Sequence, residues 1–285
     1  MRLAYLNKKL IPLHKANIPI LDRGFLYGDG VFETMRSYNG AVFRLEKHTA
    51  RLFKSLKALG IRPPAPKKEI EKKVYKLLKK NKLSKDAYIK IIVTRGRTKG
   101  LLVPREKSRS TIAIYALAYR APSRGVYAKG IKVSLFRTGC SRNYRIARHK
   151  TLNYLPNVLW RYEAEQKGSD DAILINADGL VSEASSSNVF VVKEKKIYTP
   201  SLRCGMLPGI TREEVIRLAE KVLKIKVRQT FMKERILYGA SEIFLTNSVA
   251  EIVPVARVGM HAVGGCAPGA ITKRLMEAYK DAVKK

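Results

Sequence analysis

Residues 147–157 read ARHKTLNYLPN and place Lys150 at a predicted bend, after strand-like residues and before a helix that begins near Asn157. A side chain at such a corner can enter a cleft from a rigid support. The chain contains 57 Lys and Arg residues, so Lys150 taken alone fits an exposed loop lysine. Its role therefore depends on what the rest of the sequence places around it.

Strands and helices follow one another irregularly on both sides of this bend. The N-terminal part contains an Asn39-Gly40 pair, a two-residue turn that favours a β-hairpin. Apolar residues at helical spacing predict helices over 46–61 and about 67–80, and strand-like runs follow. Because the order has no regular strand-helix-strand repeat, the pattern favours an α+β fold over a doubly wound sheet.

The segment RAPSRG, residues 120–125, divides the chain into two predicted domains. Pro, Ser and Gly interrupt a strand-rich region there, which is typical of a linker. A chain of 285 residues is long enough for two domains with cores of their own. We therefore predict an N-terminal domain over 1–119 and a C-terminal domain over 126–285, the second carrying Lys150.

The formal net charge of +34 is the most unusual bulk property. Clustered Lys and Arg side chains neutralise phosphates, so this charge is compatible with binding to nucleic acid or to an anionic surface. The basic residues are spread from end to end, however, and the densest run, at 66–85, has Ile70, Val74 and Leu77 at helical spacing. This pattern predicts a surface helix with a lysine-rich solvent face and disfavours a dedicated nucleic-acid-binding protein.

Composition also limits the compartment and the kinds of site. Apolar stretches long enough to span a bilayer are absent and lysines interrupt the N-terminal apolar pieces, so we expect a cytoplasmic protein without a membrane partner. Cys140, Cys204 and Cys266 lie more than sixty residues apart. This spacing predicts neither a disulfide framework nor a metal site, and the cysteines are expected to pack in a reducing compartment.

Two segments interrupt apolar strands with polar side chains. In DGLVSEASSSNVFVV, Glu183 precedes three serines and an asparagine. A carboxylate in these surroundings is costly to bury without a cationic or donor partner. In FLTNSVAEIVPV, Ser248 belongs to a run of three donors that interrupts a strand. Taken alone, an exposed loop and a polar strand end explain these residues better than a binding site does.

A third segment predicts an anion site at the start of a helix. In MLPGITREEVIRLAE, Gly209 allows close backbone approach, and Thr211 with Glu214 has capping-box spacing. The N–H groups near Ile210 and Thr211 can bind a phosphate. Arg51, in an earlier predicted helix, can neutralise the same phosphate as a charge-assisted donor. A plain capped helix and a solvated arginine are the structural alternatives.

Together these residues match the needs of one cofactor. An imine-forming lysine, an anion-binding helix start with an arginine, and a carboxylate suit a molecule with an aldehyde, a phosphate and a basic ring nitrogen. Pyridoxal 5′-phosphate has all three groups. We therefore predict a pyridoxal-phosphate enzyme whose site contains no metal ion.

Seven segments occur in the order found in one enzyme family. From about residue 22 to 255 the chain resembles the class IV aminotransferases, fold-type IV pyridoxal-phosphate enzymes that include branched-chain aminotransferases, D-amino-acid transaminases and aminodeoxychorismate lyases. The segments are DRGFLYGDGVFE, HTARLFKSLKALGI, AYIKIIVTRG, RHKTLNYLPN, ILINADGLVSEASSSNVF, LPGITR and LTNSVAEIVPV.

The resemblance implies roles for individual residues. Lys150 would bind the cofactor's aldehyde and, once displaced by substrate, move the proton between the substrate's α-carbon and the cofactor. Glu183 would keep the pyridine nitrogen protonated, so that the ring acts as an electron sink. The phosphate and the ring oxygen would be held by Arg51, Ile210, Thr211, Ser248 and Tyr154.

The resemblance also implies an architecture. The family fold has a small N-terminal α/β domain and a larger C-terminal domain with a mixed, β-barrel-like sheet, and the cofactor lies between them. A neighbouring subunit closes the site in this family. We therefore expect a homodimer or a higher homo-oligomer, which the residues themselves do not indicate.

The substrate is harder to predict, because the catalytic residues are shared within the family and only the pocket differs. Val-Phe-Glu at Phe32 and Tyr-Ile-Lys at Tyr88–Lys90 resemble branched-chain aminotransferases, and Val249 is a further expected substrate contact. Lys90 keeps the charge of the arginine usual there but loses its bidentate fork. We expect amino transfer between a branched-chain L-amino acid and a 2-oxo acid such as 2-oxoglutarate.

Other functions stay open. Ser-Ser-Asn before Val189, and Thr34, stand where branched-chain enzymes usually have Gly-Glu-Asn and glycine. Both departures lean toward aminodeoxychorismate lyase, which forms 4-aminobenzoate, or toward D-amino-acid and R-amine transaminases. The segment TRGRTKGLLVP lacks the histidine of the well-known D-amino-acid enzymes. A non-enzymatic basic protein that binds polyanions is the remaining rival, and it predicts no cofactor chromophore.

Overall fold

A computed structural model describes residues 2–98, 102–104, 108–265 and 268–284. They form two compact units, each with helices and a sheet of its own. The first unit comprises Met1–Arg120 with His149–Tyr154, and the second comprises Ala121–Arg148 with Leu155–Lys285. In these described ranges, no helix combines the length and the apolar character that crossing a membrane requires.

The first unit is built on a six-stranded sheet in which all neighbouring strands pair antiparallel, in the order β2-β1-β6-β5-β3-β4. Its strands are β1 Leu3–Leu6, β2 Lys9–Pro12, β3 Gly30–Tyr38, β4 Ala41–Val42, β5 Ala87–Thr94 and β6 Thr111–Ala118. Asn39 and Gly40 join β3 to β4 with φ angles of 48° and 82°. These positive angles suit the predicted hairpin turn, which is confirmed.

Amphipathic helices cover one face of this sheet. The helices of the unit are α1 Arg23–Tyr27, α2 Leu45–Ala58 and α3 Lys67–Lys80. Leu52 and Leu56 of α2 pack with Ile70 and Val74 of α3 against Ile89 of β5. Each of these side chains is at most 1% exposed, so each contributes about 1.5–3 kcal/mol of burial free energy. The helical spacing of apolar residues therefore predicted this core correctly.

A piece of chain from much later in the sequence joins the first unit at β3. Thr151 forms a bridge with Val31, and the backbone N–H of Phe32 donates to the carbonyl of Lys150 at 2.9 Å. This grouping differs from the predicted division, which assigned Lys150 to a domain over 126–285. The predicted boundaries at 119 and 126 stay a prediction.

The second unit is built on a nine-stranded mixed sheet, in the order β12-β11-β10-β13-β14-β7-β8-β9, with β15 on β14. Its strands are β7 Ile131–Arg137, β8 Asp171–Ile175, β9 Val181–Ala184, β10 Asn188–Lys193, β11 Lys196–Pro200, β12 Val227–Thr230, β13 Glu242–Asn247, β14 Glu251–Val258 and β15 His261–Ala262. Although β9 lies at one end of this order, it also contacts β10 and β11. The sheet therefore curls, which agrees with the predicted barrel-like domain.

The helices of the second unit are α4 Arg124–Lys129, α5 Leu155–Gln166, α6 Ile210–Arg217, α7 Arg235–Tyr238 and α8 Ala270–Lys284. One prediction about the bend at Lys150 was wrong. A short 3₁₀ turn, Arg145–Arg148, precedes the lysine in place of strand-like residues, and α5 begins two residues earlier than predicted. The Arg-rich sequence before the lysine contains few of the β-branched and aromatic residues that favour a strand.

Candidate active site

The structure places the predicted site residues in two groups, one in each unit. The first unit holds Phe32, Arg51, Tyr88, Lys90, Lys150 and Tyr154. The second unit holds Glu183, Ile210, Thr211, Ser248 and Val249. Each group is described within its own unit.

Lys150 lies against two aromatic rings. Its Nζ is 4.4 Å from the ring centroid of Phe32 and 5.3 Å from that of Tyr154. The two rings meet edge to face, with centroids 5.4 Å apart and planes at 83°. Rings at these distances favour an ammonium group through their quadrupoles and keep water from part of it. This half-buried lysine is therefore unlike the exposed lysines that make up most of the chain's charge.

The open face of the six-stranded sheet carries the predicted substrate residues. Side chains alternate along a strand, so Phe32 and Thr34 of β3 lie on the same face. Lys90 of the neighbouring strand β5 pairs with Thr34 and lies on this face too. The Nζ of Lys90 lies 4.7 Å from the Phe32 ring centroid. Burial lowers the pKa of Lys90 below its ordinary value. An anionic ligand beside this lysine would therefore stabilise its charged form.

Tyrosines extend this face. The rings of Tyr88 and Tyr115 have centroids 6.3 Å apart. Burial, together with the neighbouring Tyr88, raises the pKa of Tyr115 to about 12. The Tyr115 hydroxyl thus stays protonated at neutral pH. The face combines aromatic surface with phenol groups and one lysine. Such a surface suits a ligand with an apolar part and a carboxylate.

On the opposite face of the sheet, Arg51 makes an ion pair that the sequence analysis missed. Its Nε and Nη2 donate to the two carboxylate oxygens of Glu33, each at 2.7 Å. Nδ1 of His48 lies 2.7 Å from Oε2 of the same carboxylate. Glu33 and His48 are 1% and 2% exposed, and Arg51 is largely covered. The interpretation of Arg51 as a solvated helix arginine is therefore excluded.

The electrostatics of this cluster follow from its burial. Burial alone would raise the pKa of Glu33, but the charge and hydrogen bonds of Arg51, with a hydrogen bond from His48, lower it to about 2. Burial lowers the pKa of His48, and the positive charges of Arg51 and Lys150 lower it further. The hydrogen bond and the charge of Glu33 raise this pKa but do not outweigh the other effects. At neutral pH a neutral His48 thus donates its Nδ1–H to an ionised Glu33.

A signal for this cluster was present in the sequence. Glu33 follows Phe32 in a buried strand, and alternation directs it toward the helices, where a carboxylate needs a cation. His48 and Arg51 are three residues apart and share one face of α2. The pairing of β3 with α2 was not predicted, because strand spacing alone does not show which helix covers which face.

Glu183 lies on β9 in the second unit. It is half-buried, and its Oε2 accepts a hydrogen bond from the backbone N–H of Leu207 at 3.2 Å. The exposed-loop interpretation of this glutamate is therefore wrong. Its neighbours Ser182 and Ala184 are buried, so the small residues of this segment let a carboxylate lie within a packed sheet.

The predicted helix start is present, but its predicted cap is not. Gly209 is the N-cap of α6, with φ −71° and ψ 134°, and no side chain caps the helix. Glu214, expected to complete a capping box with Thr211, is buried and accepts from Nη2 of Arg217 at 2.6 Å. The first N–H groups of a helix have no partner within it, so this start keeps donors for an anion.

Hydroxyl groups lie beside this helix start. Oγ1 of Thr211 is 3.4 Å from Oγ of Ser248. Asn247 shapes the turn that carries Ser248, because its Oδ1 accepts from the N–H groups of Val249 and Ala250 at 2.9 and 2.7 Å. Within the second unit, the structure therefore brings two of the predicted phosphate-binding residues together.

Close packing explains the glycine at the helix start. A Cβ atom on Gly209 would lie 1.9 Å from Oδ1 of Asn188. Asn188 is buried and its Nδ2 donates to the carbonyl of Leu207 at 3.0 Å, so it cannot move aside freely. Leu207 in turn donates its N–H to Glu183. One short segment, 207–211, thus connects the carboxylate to the helix start.

Neither of the two cysteines that the structure describes belongs to either group. Cys140 is exposed and Cys204 is buried, while Cys266 lies outside the described residues. In the part of the chain that the structure describes, no cluster of three or more His, Cys, Asp and Glu side chains is placed to hold a metal ion.

The arrangement of motifs can be compared with known families. The family model for amino-transferase class IV matches residues 30–258. The chain belongs to the class IV aminotransferase family. It is therefore a pyridoxal-phosphate-dependent aminotransferase by family, and the predicted family and enzyme class are confirmed.

Curated relatives cover nearly the whole chain. A Methanocaldococcus jannaschii protein, provisionally named a branched-chain-amino-acid aminotransferase, is 38% identical over 97% of this chain and 95% of its own length. The D-alanine aminotransferase of Bacillus licheniformis is 32% identical over 97% of this chain and 95% of its own. The aminodeoxychorismate lyase of Bacillus subtilis is 32% identical over 98% of this chain and 94% of its own length.

Solved structures share the fold. The branched-chain amino acid aminotransferase of Escherichia coli superposes with a TM-score of 0.93 at 28% identity, over 98% of this chain and 94% of its own. The branched-chain amino acid aminotransferase of Thermobaculum terrenum, solved in its PLP form, gives a TM-score of 0.90 at 30% identity. The match covers 99% of this chain and 94% of that one. The predicted two-domain fold of type IV is confirmed.

Proposed function

We propose that this protein is a branched-chain transaminase that moves an amino group between a branched-chain L-amino acid and a 2-oxo acid such as 2-oxoglutarate. The observation that carries the proposal is the environment of Lys150, whose Nζ lies 4.4 Å from the Phe32 ring while its backbone is bonded to β3. A lysine held in this way can act as a nucleophile and a base. The relatives named branched-chain aminotransferases support the substrate class.

The residues of both groups fit pyridoxal 5′-phosphate. When bound, this cofactor supplies an electron sink for the bond changes at the substrate's α-carbon. Lys150 would hold the aldehyde and afterwards carry the α-proton, and Tyr154 would hydrogen-bond the ring oxygen. Glu183 would keep the ring nitrogen protonated. Phosphate oxygens would be held by Arg51, by the N–H groups of Ile210 and Thr211, and by Ser248.

Arg51 would bind the phosphate with its orientation already set. A guanidinium has five N–H donors in a rigid plane, and the bidentate pair with Glu33 uses two of them. His48, hydrogen-bonded to the same carboxylate, limits the movement of Glu33. We therefore assign Glu33 and His48 as positioning residues for Arg51, which sequence reasoning had not included in the site.

The substrate would lie on the open face of the six-stranded sheet. Phe32, Tyr88 and Tyr115 give this face an aromatic wall that suits an apolar side chain. Lys90 is the cation on the same face and would bind a substrate carboxylate by charge, without the bidentate fork of an arginine. Val249, half-buried next to Ser248, would contact the substrate's side chain.

One observation favours a second candidate, aminodeoxychorismate lyase. Thr34 pairs directly with Lys90 on the open face, so its hydroxyl adds a polar group where branched-chain enzymes usually have glycine. The Bacillus subtilis lyase at 32% identity supports this alternative. D-amino-acid transamination is the third candidate, supported by the Bacillus licheniformis relative.

A substrate panel tests these candidates. The protein with bound cofactor would be assayed with L- and D-amino acids, using 2-oxoglutarate or pyruvate as acceptor, beside an aminodeoxychorismate cleavage assay. We expect conversion of L-leucine, L-isoleucine and L-valine. Release of pyruvate and 4-aminobenzoate would replace the proposal with the lyase, and turnover of D-alanine alone would replace it with the D-amino-acid enzyme.

A homodimer and a cytoplasmic location belong to the same proposal. Exposed apolar side chains concentrate in the first unit at Ile18, Ile20, Leu21, Phe25, Leu26 and Tyr27, and in the second at Leu155, Val158, Leu159 and Tyr162 of α5. Apolar patches of this kind mark protein interfaces. Light scattering on the purified protein is expected to give at least twice the 32.1 kDa of the chain. A monomer would contradict the proposal.

A further inference from the structure

A row of lysines runs along α3 and has no part in the chemistry proposed above. The run at 66–85 holds nine lysines and two glutamates. Lys68, Lys72, Lys76 and Lys79 are exposed, and they lie on one side because residues three and four apart share a helix face. We call these four residues the lysine stripe. The opposite side of α3 is buried through Ile70, Val74, Leu77 and Leu78.

The two glutamates of α3 do not neutralise this stripe. Glu69 accepts from Nζ of Lys73 at 2.7 Å, and Glu71 lies 3.8 Å from Nζ of Lys67. The hydrogen bond from Lys73, with a smaller effect of the charge of Lys8, lowers the pKa of Glu69. Both acidic side chains therefore pair with lysines outside the stripe, and Lys8 adds positive charge near the start of the helix.

The C-terminal helix α8 shows a different arrangement. Lys273, Lys280 and Lys284 are exposed at similar spacing, but Glu277 and Asp281 lie among them on the same side. Nζ of Lys284 is 3.5 Å from Asp281. The helices have similar lengths, 14 residues in α3 and 15 in α8. The lysine stripe of α3 therefore differs from the mixed charge on the exposed side of α8.

We propose that the lysine stripe of α3 binds the phosphate backbone of a nucleic acid duplex. One lysine per helical turn of about 5.4 Å makes a linear array of charge. An array of this kind suits a long, uniformly charged polymer better than a compact anion. Contacts to phosphates carry no base information, so the binding is independent of sequence and strongly dependent on salt.

The burial of the apolar side of α3 favours a duplex over a lipid surface. A helix that lies in a membrane interface inserts apolar side chains next to its basic ones. In α3 those side chains belong to the core, with Ile70 and Leu77 at 0% and Leu78 at 4% exposure. Lipid could then be held chiefly by charge, at about 1 kcal/mol per lysine.

The test compares two variants that lose the same charge. Fluorescence anisotropy with a labelled DNA duplex of about 20 base pairs is measured over a series of salt concentrations. The α3 variant carries Lys72→Gln, Lys76→Gln and Lys79→Gln, and the α8 variant carries Lys273→Gln, Lys280→Gln and Lys284→Gln. For the α3 variant we expect the slope of log affinity against log salt to become shallower by about 3 and affinity to fall at least tenfold at low salt. The α8 variant is expected to lose less than about threefold.

Controls separate lost binding from lost folding. The unfolding midpoint and the transamination rate of the α3 variant are expected to stay unchanged, because these lysines lie outside both site groups. Replacing Lys72, Lys76 and Lys79 by arginine keeps the charge and is expected to keep the affinity. Equal losses in the two glutamine variants would overturn the proposal, since binding would then follow total charge. A loss of binding to phosphatidylserine vesicles with unchanged duplex affinity would also overturn it, in favour of a membrane surface.

Discussion

The two groups of predicted site residues are built from different chemistry. In the first unit, an ionised carboxylate and a guanidinium form a buried ion pair, in which Glu33 and Arg51 share two hydrogen bonds of 2.7 Å. In the second unit, Thr211 and Ser248 place hydroxyls beside the N–H groups of a helix start, and Glu183 accepts from a backbone amide. One group works with ionised side chains, and the other mainly with backbone dipoles.

This difference has consequences for stability. A buried charge that loses its partner costs several kcal/mol, so the first group is sensitive to single side-chain changes and to pH. Backbone amides do not titrate, so the helix start in the second group is sensitive instead to changes that move the backbone. Both consequences can be tested with matched variants.

The largest expected effect belongs to Lys150. Lys150→Ala is expected to lower the transamination rate by at least about 10³-fold, because it removes both the nucleophile and the base. Borohydride treatment of the unmodified protein with cofactor should label Lys150, as read by mass spectrometry. Lys167 is the matched control, since its Nζ also lies over an aromatic ring, 4.5 Å from the Phe136 centroid. Full activity in Lys150→Ala, or loss in Lys167→Ala, would contradict the assignment.

Glu33→Gln addresses the charged group directly. The variant leaves the Arg51 guanidinium largely buried without its anion, and we expect the free energy of unfolding to fall by about 3 kcal/mol. Urea unfolding of the cofactor-free protein measures this, and cofactor affinity should fall with it. The control is Glu165→Gln, which breaks the exposed pair with Arg161 and should cost less than about 1 kcal/mol. Equal costs in the two variants would refute the distinction drawn here between buried and exposed pairs.

The same pair predicts a pH dependence. The pKa of Glu33 is about 2 in the folded protein, below its ordinary value of 4.5, so its ionised form stabilises the folded state above pH 4.5. This contribution, about 3 kcal/mol, is lost as the pH falls from 4.5 toward 2. The stability difference between the unmodified protein and Glu33→Gln should therefore shrink on acidification. A constant difference between about pH 6 and about pH 3 would contradict this pKa.

Gly209→Ala addresses the backbone of the second group. Its Cβ would overlap Oδ1 of Asn188, and relief of that overlap displaces the start of α6 at a cost of about 1–3 kcal/mol. Gly139→Ala is the control, because nothing lies within 4 Å of the added atom there. Thermal unfolding and cofactor titration should both be affected only in Gly209→Ala. Unchanged values for that variant would show that the segment accommodates the methyl group.

The smallest effect is expected for a hydroxyl of the second group. Thr211→Val removes the oxygen that lies 3.4 Å from Oγ of Ser248 and keeps the shape of the side chain. We expect cofactor affinity to fall by about 1 kcal/mol, or roughly fivefold, as measured by equilibrium titration. Thr211→Ser restores the hydroxyl and should restore the affinity. A serine variant as weak as the valine variant would assign the effect to packing.

Much of the fold, and the candidate residues for the site, could be predicted from the sequence. Apolar spacing located α2 and α3, and Asn39-Gly40 located a hairpin, because these features depend on residues close together in the chain. Seven ordered motifs identified the family and with it Lys150, Arg51 and Glu183 as candidates. Local spacing misled at Thr211 and Glu214, where a capping-box pattern occurs but the glutamate pairs with Arg217 instead.

The sequence by itself thus determined the family, the enzyme class and the side chains available for chemistry, since these depend on residue type and order. Only the tertiary structure decided which of those side chains meet. Glu33 and Arg51 are 18 positions apart, and a strand must pack against a helix before they can pair. Lys150 joins β3 across more than a hundred residues, through backbone hydrogen bonds that carry no mark in the side-chain pattern.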